Sequence, residues 1–205
     1  MPGLATPVPA IEFNLSSTGM SKGIAQTTGP QFLARGELGL GILFIGAYAK
    51  NVDSSSYDGE AGALVGIRTN AAGFDLGFSA ALKRAIDSSP GSDRSALEVN
   101  ATAARKFGRL TPRLGVVWSP DDLGGTRQTV FAEAGASYRL STALSASASV
   151  GRRERTGGAD YDAWNAGVTW QPLKPVSIDL RYYDTNAGSA QPYRARAVLS
   201  ARARF

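Results

Sequence analysis

From Tyr193 to Phe205 the chain alternates with a period of two, and that pattern limits the folds open to it more than any other feature. Tyr193, Ala195, Ala197, Leu199, Ala201, Ala203 and Phe205 fall on one face, while Arg194, Arg196, Ser200, Arg202 and Arg204 fall on the other, with Val198 the one apolar residue among them. Such alternation places successive side chains on opposite faces of a strand. It recurs upstream: Val176, Ile178, Leu180 and Tyr182 against Ser177, Asp179, Arg181 and Tyr183; Leu144, Ala146, Ala148 and Val150 against Ser145, Ser147, Ser149 and Gly151. The stretches around 130–139, 97–104, 74–83 and 11–16 read the same way, and helical periodicity is hard to find.

Counted in this way the chain holds about twelve strands, each near the length that a tilted membrane strand requires. The expected spans are 10–17, 31–39, 41–51, 59–69, 73–85, 95–107, 111–119, 128–139, 142–153, 160–171, 174–184 and 192–205. The register of 41–51 is left open, because Ile42-Leu43-Phe44-Ile45 is apolar on both faces. Short connections (38–41, 69–73, 107–112, 140–143, 171–175) take turns with longer ones rich in Gly, Ser, Asp and Pro (17–30, 51–59, 86–94, 119–128, 153–159, 184–191). A barrel in lipid has that asymmetry, with short periplasmic turns and longer outer loops. Strands in lipid must pair every backbone N–H and C=O, which a sheet achieves only by closing on itself. The expectation is an all-β fold: a closed antiparallel transmembrane β-barrel of twelve strands with both termini periplasmic. It comprises a short N-terminal extension, 1–9, and a single barrel domain, 10–205. Trp118, Tyr138, Trp164, Trp170, Tyr182, Tyr193 and Phe205 near strand ends fit an interfacial aromatic girdle. A soluble β-sandwich is the competing reading. It would need larger core residues than the Ala-rich faces near 101–103, 132–136 and 146–148 supply.

Composition narrows the chemistry. The chain has no cysteine and no histidine, so thiol chemistry and the commonest general base and metal ligand are missing. Hydrolytic activity of the Ser–His or Asp–His kind is therefore not expected, and the chain is read as no enzyme. The net charge of +5 is spread along the chain rather than gathered with stacking aromatics, so no nucleic acid is expected. Gly36–Gly46 lacks the Gly-Lys-Ser/Thr ending of a phosphate loop. No cofactor or metal is expected: Asp53, Asp58, Asp121, Asp122, Asp160, Asp162 and Asp184 lie in outer loops, where aspartates commonly form turns, and calcium is the less favoured reading. The longest weakly polar run, Leu38–Ala49, is too short to span a membrane as a helix. Met1-Pro2-Gly3 begins no apolar leader, so a signal peptide is expected to be absent from the sequence shown.

The alternation assigns to the lumen Glu12, Asn14, Arg35, Glu37, Glu60, Arg68, Asp75, Lys83, Glu98, Asn100, Lys106, Arg113, Glu133, Arg139, Asp179, Arg181, Arg194, Arg196, Arg202 and Arg204, with four of the arginines on the final strand. Bases outnumber acids there. Two readings stand side by side: a narrow basic pore that concentrates anions, and an Arg–carboxylate network that fills the interior. Barrels of eight strands are packed solid and those of sixteen or more are open, so twelve does not decide.

Five segments resemble, in order, the TorF family of porin-like outer-membrane barrels. They are Ser21-Lys22-Gly23-Ile24-Ala25-Gln26-Thr27, Gly46-Ala47-Tyr48-Ala49-Lys50-Asn51-Val52-Asp53, Trp118-Ser119-Pro120-Asp121, Asp160 to Val168, and Asp179-Leu180-Arg181-Tyr182-Tyr183-Asp184-Thr185. The likeness runs from about residue 11 to 205. The family's arginine is Lys22 here, its serine is Ala25, and Gly19 and Met20 replace its aromatics. The resemblance implies a porin-like barrel in a bacterial outer membrane, and with the lumen charges the expected function is passive diffusion of small polar solutes through a narrow, slightly basic pore. A non-conducting barrel serving as a structural or accessory subunit of an outer-membrane assembly is the alternative. Expected partners are outer-membrane lipid and lipopolysaccharide, the barrel-assembly machinery, and a possible protein partner in an envelope complex. Phe205 resembles the C-terminal signal read by that machinery, although Ala203 is smaller than the residue usual there.

Overall fold

The computed structural model describes residues 6–205. The strands are β1 (Val8–Ser16), β2 (Met20–Ser21), β3 (Ile24–Ala25), β4 (Gln31–Leu40), β5 (Leu43–Asn51), β6 (Gly59–Ala71), β7 (Phe74–Ile86), β8 (Ser95–Arg105), β9 (Leu110–Asp122), β10 (Arg127–Arg139), β11 (Leu144–Arg155), β12 (Tyr161–Leu173), β13 (Val176–Thr185) and β14 (Arg196–Arg204). All but β2 and β3 form one closed antiparallel barrel in which β14 pairs with β1; β2 and β3 make a separate two-stranded hairpin. Twelve-strand closure is as expected. Of the expected extension 1–9, residues 1–5 lie outside the described residues, and β1 already begins at Val8.

The seam is closed by the last residues of the chain. Glu12 lies opposite Arg204 and Ser16 opposite Ser200. Beyond that ladder the backbones of Ile11 and Phe205 exchange hydrogen bonds of 3.0 and 2.9 Å. Each barrel strand is paired on both sides. That satisfies the backbone where water is missing.

The alternation sorts the side chains as expected. Outward positions carry an apolar belt, including Phe13, Leu15, Phe32, Val65, Leu82, Leu114, Val150 and Leu180, all exposed. Such an extended apolar surface is stable only against lipid or a partner. The open register of β5 is settled by burial: Phe44 is enclosed while Leu43 and Ile45 are exposed, so Phe44, Tyr48 and Lys50 face in. The rings of Phe44 and Tyr48 lie flat along the wall over glycines of β6. A Cβ at Gly66 would stand 2.5 Å from Phe44 Cζ, and one at Gly62 would stand 2.4 Å from Tyr48 Cε1. A larger residue at Gly62 would push the Tyr48 ring into the lumen, and one at Gly66 would press both on Phe44 and on the Phe78 carbonyl at 2.5 Å.

The β9–β10 connection and the placement of Tyr193 depart from expectation. The loop expected over 119–128 shrinks to 123–126, because β9 continues to Asp122 and a single 3-10 turn, Leu123–Gly125, leads into β10. It is no longer than the turns at 106–109 and 140–143, so loop length alternates less regularly than the sequence implies. The ladder also slips there: Ser119 pairs with Thr129 and Asp122 with Arg127. One extra residue in β9 makes this a β-bulge, which accommodates Pro120 and reverses the phase of the residues after it. Asp122, expected in an outer loop, is thereby turned inward and buried. Finally, Tyr193 does not join the girdle. Its ring meets Tyr161 edge-on at 5.6 Å.

Candidate functional site: an inward hairpin across the lumen

Residues 17–30 are expected from the sequence to form an outer loop. They instead carry β2 and β3, whose tip reaches across the barrel. Lys22 and Gly23 form that tip with φ of +50° and +82°, the conformation of a two-residue turn that matches strand twist. Gly23 is required twice over. A Cβ there would also lie 2.2 Å from Cβ of Ala163 on β12. At the base, Gln26 N–H donates to the carbonyl of Gly19 at 2.7 Å, and Ala25 N–H to that of Pro192 at 3.1 Å. Thr27 is buried; its hydroxyl accepts from Gly19 N–H at 2.8 Å and donates to the Gly29 carbonyl at 2.6 Å.

The tip is fastened by charge. Lys22 Nζ lies 2.8 Å from Glu98 on β8 and 2.8 Å from Asp122 on β9. Lys83 on β7 reaches the same two carboxylates at 3.0 and 2.5 Å. Arg153 on β11 adds a contact to Asp122 at 3.4 Å and donates to the Tyr161 hydroxyl at 3.3 Å. That hydroxyl in turn donates to the carbonyl of Lys22 at 2.8 Å. The side chains of Lys22, Lys83, Asp122 and Arg153 are all more than nine-tenths buried. Beside this cluster Lys50 donates to Gln26 Oε1 at 2.7 Å and stands 3.5 Å from Glu60, which also accepts from the Tyr48 hydroxyl at 2.7 Å.

The hairpin divides the interior. A cavity of about 720 Å³ lies along β4–β9 and another of about 640 Å³ along β9–β14 and β1; Ser21 and Lys22 line both. A third, of about 340 Å³, sits at the end of the barrel that carries the short turns.

The lumen residues expected from the sequence divide accordingly. Glu12, Arg35, Glu60, Arg68, Lys83, Glu98 and Asn100 line the first cavity. Asn14, Arg113, Glu133, Asp179, Arg181 and Arg202 line the second, and Glu37 and Arg204 the third. Five line none of these cavities. Asp75 stands at a turn and accepts from Asn70 at 2.9 Å. Lys106 lies in the connection after β8, and Arg139 ends β10. Arg194 precedes β14 instead of lying on it, and Arg196, at the loop end, donates to Gln191 at 2.7 Å. Lys22, Lys50, Asp122 and Arg153 are lumen residues that the alternation does not single out. Arg153 is within its reach, since the odd positions of β11 already point inward and the expected span 142–153 includes it.

Asp53 fastens the hairpin from outside. Its carboxylate accepts from the backbone N–H and hydroxyl of Thr28 at 2.8 and 2.9 Å. Those bonds hold its carboxyl below the ordinary value of 3.8. The depressed pKa means that this clamp contributes above about pH 3.8 and fades as pH falls through the folded-state value. Proteolysis within 17–30 is therefore expected to quicken at pH 3 relative to pH 6. Asp53→Asn should remove most of that difference; equal cleavage at both pH values in the wild type would show that the clamp does not hold the segment. Among the described residues no three acidic side chains converge to hold a metal ion.

A closed twelve-stranded antiparallel barrel with an apolar exterior has the fold of outer-membrane β-barrels. A KdgM porin superposes with a TM-score of 0.66 at 8% identity, covering 96% of this chain and 99% of that one. The β domain of the Bordetella autotransporter BrkA gives 0.51 at 11% identity, covering 97% and 98%. The outer membrane protein OpdK of Pseudomonas aeruginosa gives 0.50 at 11%, covering 88% and 58%. None of the curated proteins matches this chain. The chain belongs to the Gcw_chp family, described as bacterial proteins of unknown function, whose profile matches residues 43–203.

Proposed function

We propose that the chain is an outer-membrane channel for the passive diffusion of small polar solutes, with the Met20–Ala25 hairpin as its constriction. The observation that carries this reading is the hairpin itself, set across a lumen whose cavities on both sides are lined by charged side chains. Fixed positive charge along the path raises the local concentration of anions. The apolar belt faces outer-membrane lipid and lipopolysaccharide, and Phe205 serves the assembly machinery as the C-terminal signal. Membership in the TorF group of porin-like barrels agrees with the five matching segments, the first of which is the hairpin. No catalytic role is assigned.

Purified barrel in planar bilayers should give discrete conductance steps with modest anion preference. Folded barrel that passes no current at any salt would overturn the channel reading. It would favour a non-conducting accessory barrel, for which the buried lock on Lys22 is the supporting feature.

A further inference from the structure

We infer that the turn-end mouth holds a binding site for a doubly charged oxyanion, built by Arg35, Arg68, Arg202 and Arg204 around Glu12 and Glu37. The inference rests on the channel reading for its role and on the seam geometry for its existence. Glu12 on β1 faces Arg204 on one side and Arg35 on the other. Its nearest cation is Arg202, with Nε at 3.5 Å. Glu37 accepts both terminal nitrogens of Arg68, at 2.7 and 3.0 Å, and is paired with Arg35 as well. Arg204 makes no ion pair among the described residues. Arg35, Arg68 and Arg204 line a cavity of about 340 Å³ with Glu12 and Glu37, and Arg202 meets Glu12 from the neighbouring cavity, so that four guanidiniums share two carboxylates with an excess of two positive charges.

Two observations argue for a ligand rather than for a merely solvated patch. Arg35 Nε is buried with no hydrogen-bond partner, and buried donors are rarely left unpaired. Arg68 is already fixed, its guanidinium 3.8 Å above the Phe44 ring, so less side-chain entropy is lost on binding. Elsewhere in the lumen the excess is smaller, since Lys22, Lys83 and Arg153 share Glu98 and Asp122 at the hairpin. On the far wall Arg113 pairs with Glu133 at 3.1 Å and Arg181 with Asp179 at 3.0 Å, one cation to each carboxylate. The planar forks at the seam suit the oxygens of a carboxylate or a tetrahedral oxyanion. An excess of two charges selects a dianion over a monoanion.

The test is calorimetry of the folded barrel in detergent micelles at low salt, titrated with succinate, sulfate and acetate. Saturable binding of one dianion is expected. Acetate should bind about two- to five-fold more weakly, since it forgoes one solvated ion pair. Arg204→Gln should weaken succinate about five-fold, while Arg152→Gln, on the outer face at the other end, should not change it. Equal binding of acetate and the dianions in the wild type would overturn the site, and this comparison needs no variant to fold. An unchanged affinity in folded Arg204→Gln would do the same. Bilayer currents recorded in parallel separate the two readings. Dianion binding without current keeps the site and removes the channel, whereas current without dianion preference removes the site and keeps the channel.

Discussion

Asp122→Ala is expected to destabilise the folded barrel by about 3–5 kcal/mol, the cost of leaving buried charges without their partner. The carboxylate takes Lys22, Lys83 and Arg153 together. Without it the three cations converge on Glu98 alone, which touches only the two lysines. The measurement is the urea midpoint for barrel refolded into lipid vesicles, set against Arg202→Ala. Arg202 is more than half exposed and its pair is long, at 3.5 Å, so its loss should cost about 1 kcal/mol or less. If the two variants shift the midpoint equally, the cluster is hydrated in the folded protein and is not a lock. Adding Lys83→Met to Asp122→Ala should restore part of the loss, because it removes one of the stranded charges.

Excising the hairpin tip should have the largest effect on conduction. Gly19 and Gln26 are already joined by a backbone hydrogen bond of 2.7 Å, so residues 20–25 can be replaced by a Gly-Gly link with little change at the base. The two large cavities would then merge. Single-channel conductance should rise several-fold, and anion preference should fall as Lys22 leaves the path. Gly23→Leu should act in the same direction. It imposes a side chain on a positive φ and on the space held by Ala163, displacing the tip without shortening the chain. Conductance unchanged in both variants would mean that the constriction lies elsewhere.

Much of the barrel is legible in the sequence because lipid-facing strands obey a single rule that leaves its mark in every segment. The strand count, the closing seam and most inward positions come from alternation alone. The failures fall where another force overrides that rule. Pro120 and the adjacent aspartates look like a loop, yet a bulge absorbs them and continues β9, and the phase reversal that buries Asp122 leaves no trace in a count of period two. The 17–30 segment has the Gly, Ser and Thr content of an exposed loop. Its inward course depends on partners more than seventy residues away, Glu98 and Asp122, which no local pattern reveals. Its one local sign is the Lys22-Gly23 pair between short strands, which on sequence reads only as a departure from the TorF arginine. Emphasis on four arginines of the last strand is partly misplaced: Arg194 and Arg196 belong to the loop end, while Arg204 lines the opposite mouth and Arg202 the large cavity next to it.

The flat rings of Phe44 and Tyr48 over Gly66 and Gly62 carry a consequence for how such a channel is retuned over time. Strand number fixes the diameter of the cylinder, but the free bore depends on how thick the lining is. Exchanging a glycine for alanine beneath either ring narrows the passage by lifting the aromatic, and losing the ring widens it. At Gly62 the change meets only the Tyr48 ring and leaves the backbone pairing as it was, whereas at Gly66 the added Cβ would also stand 2.5 Å from the Phe78 carbonyl on the next strand. Permeability can therefore drift by single substitutions while the architecture stays constant.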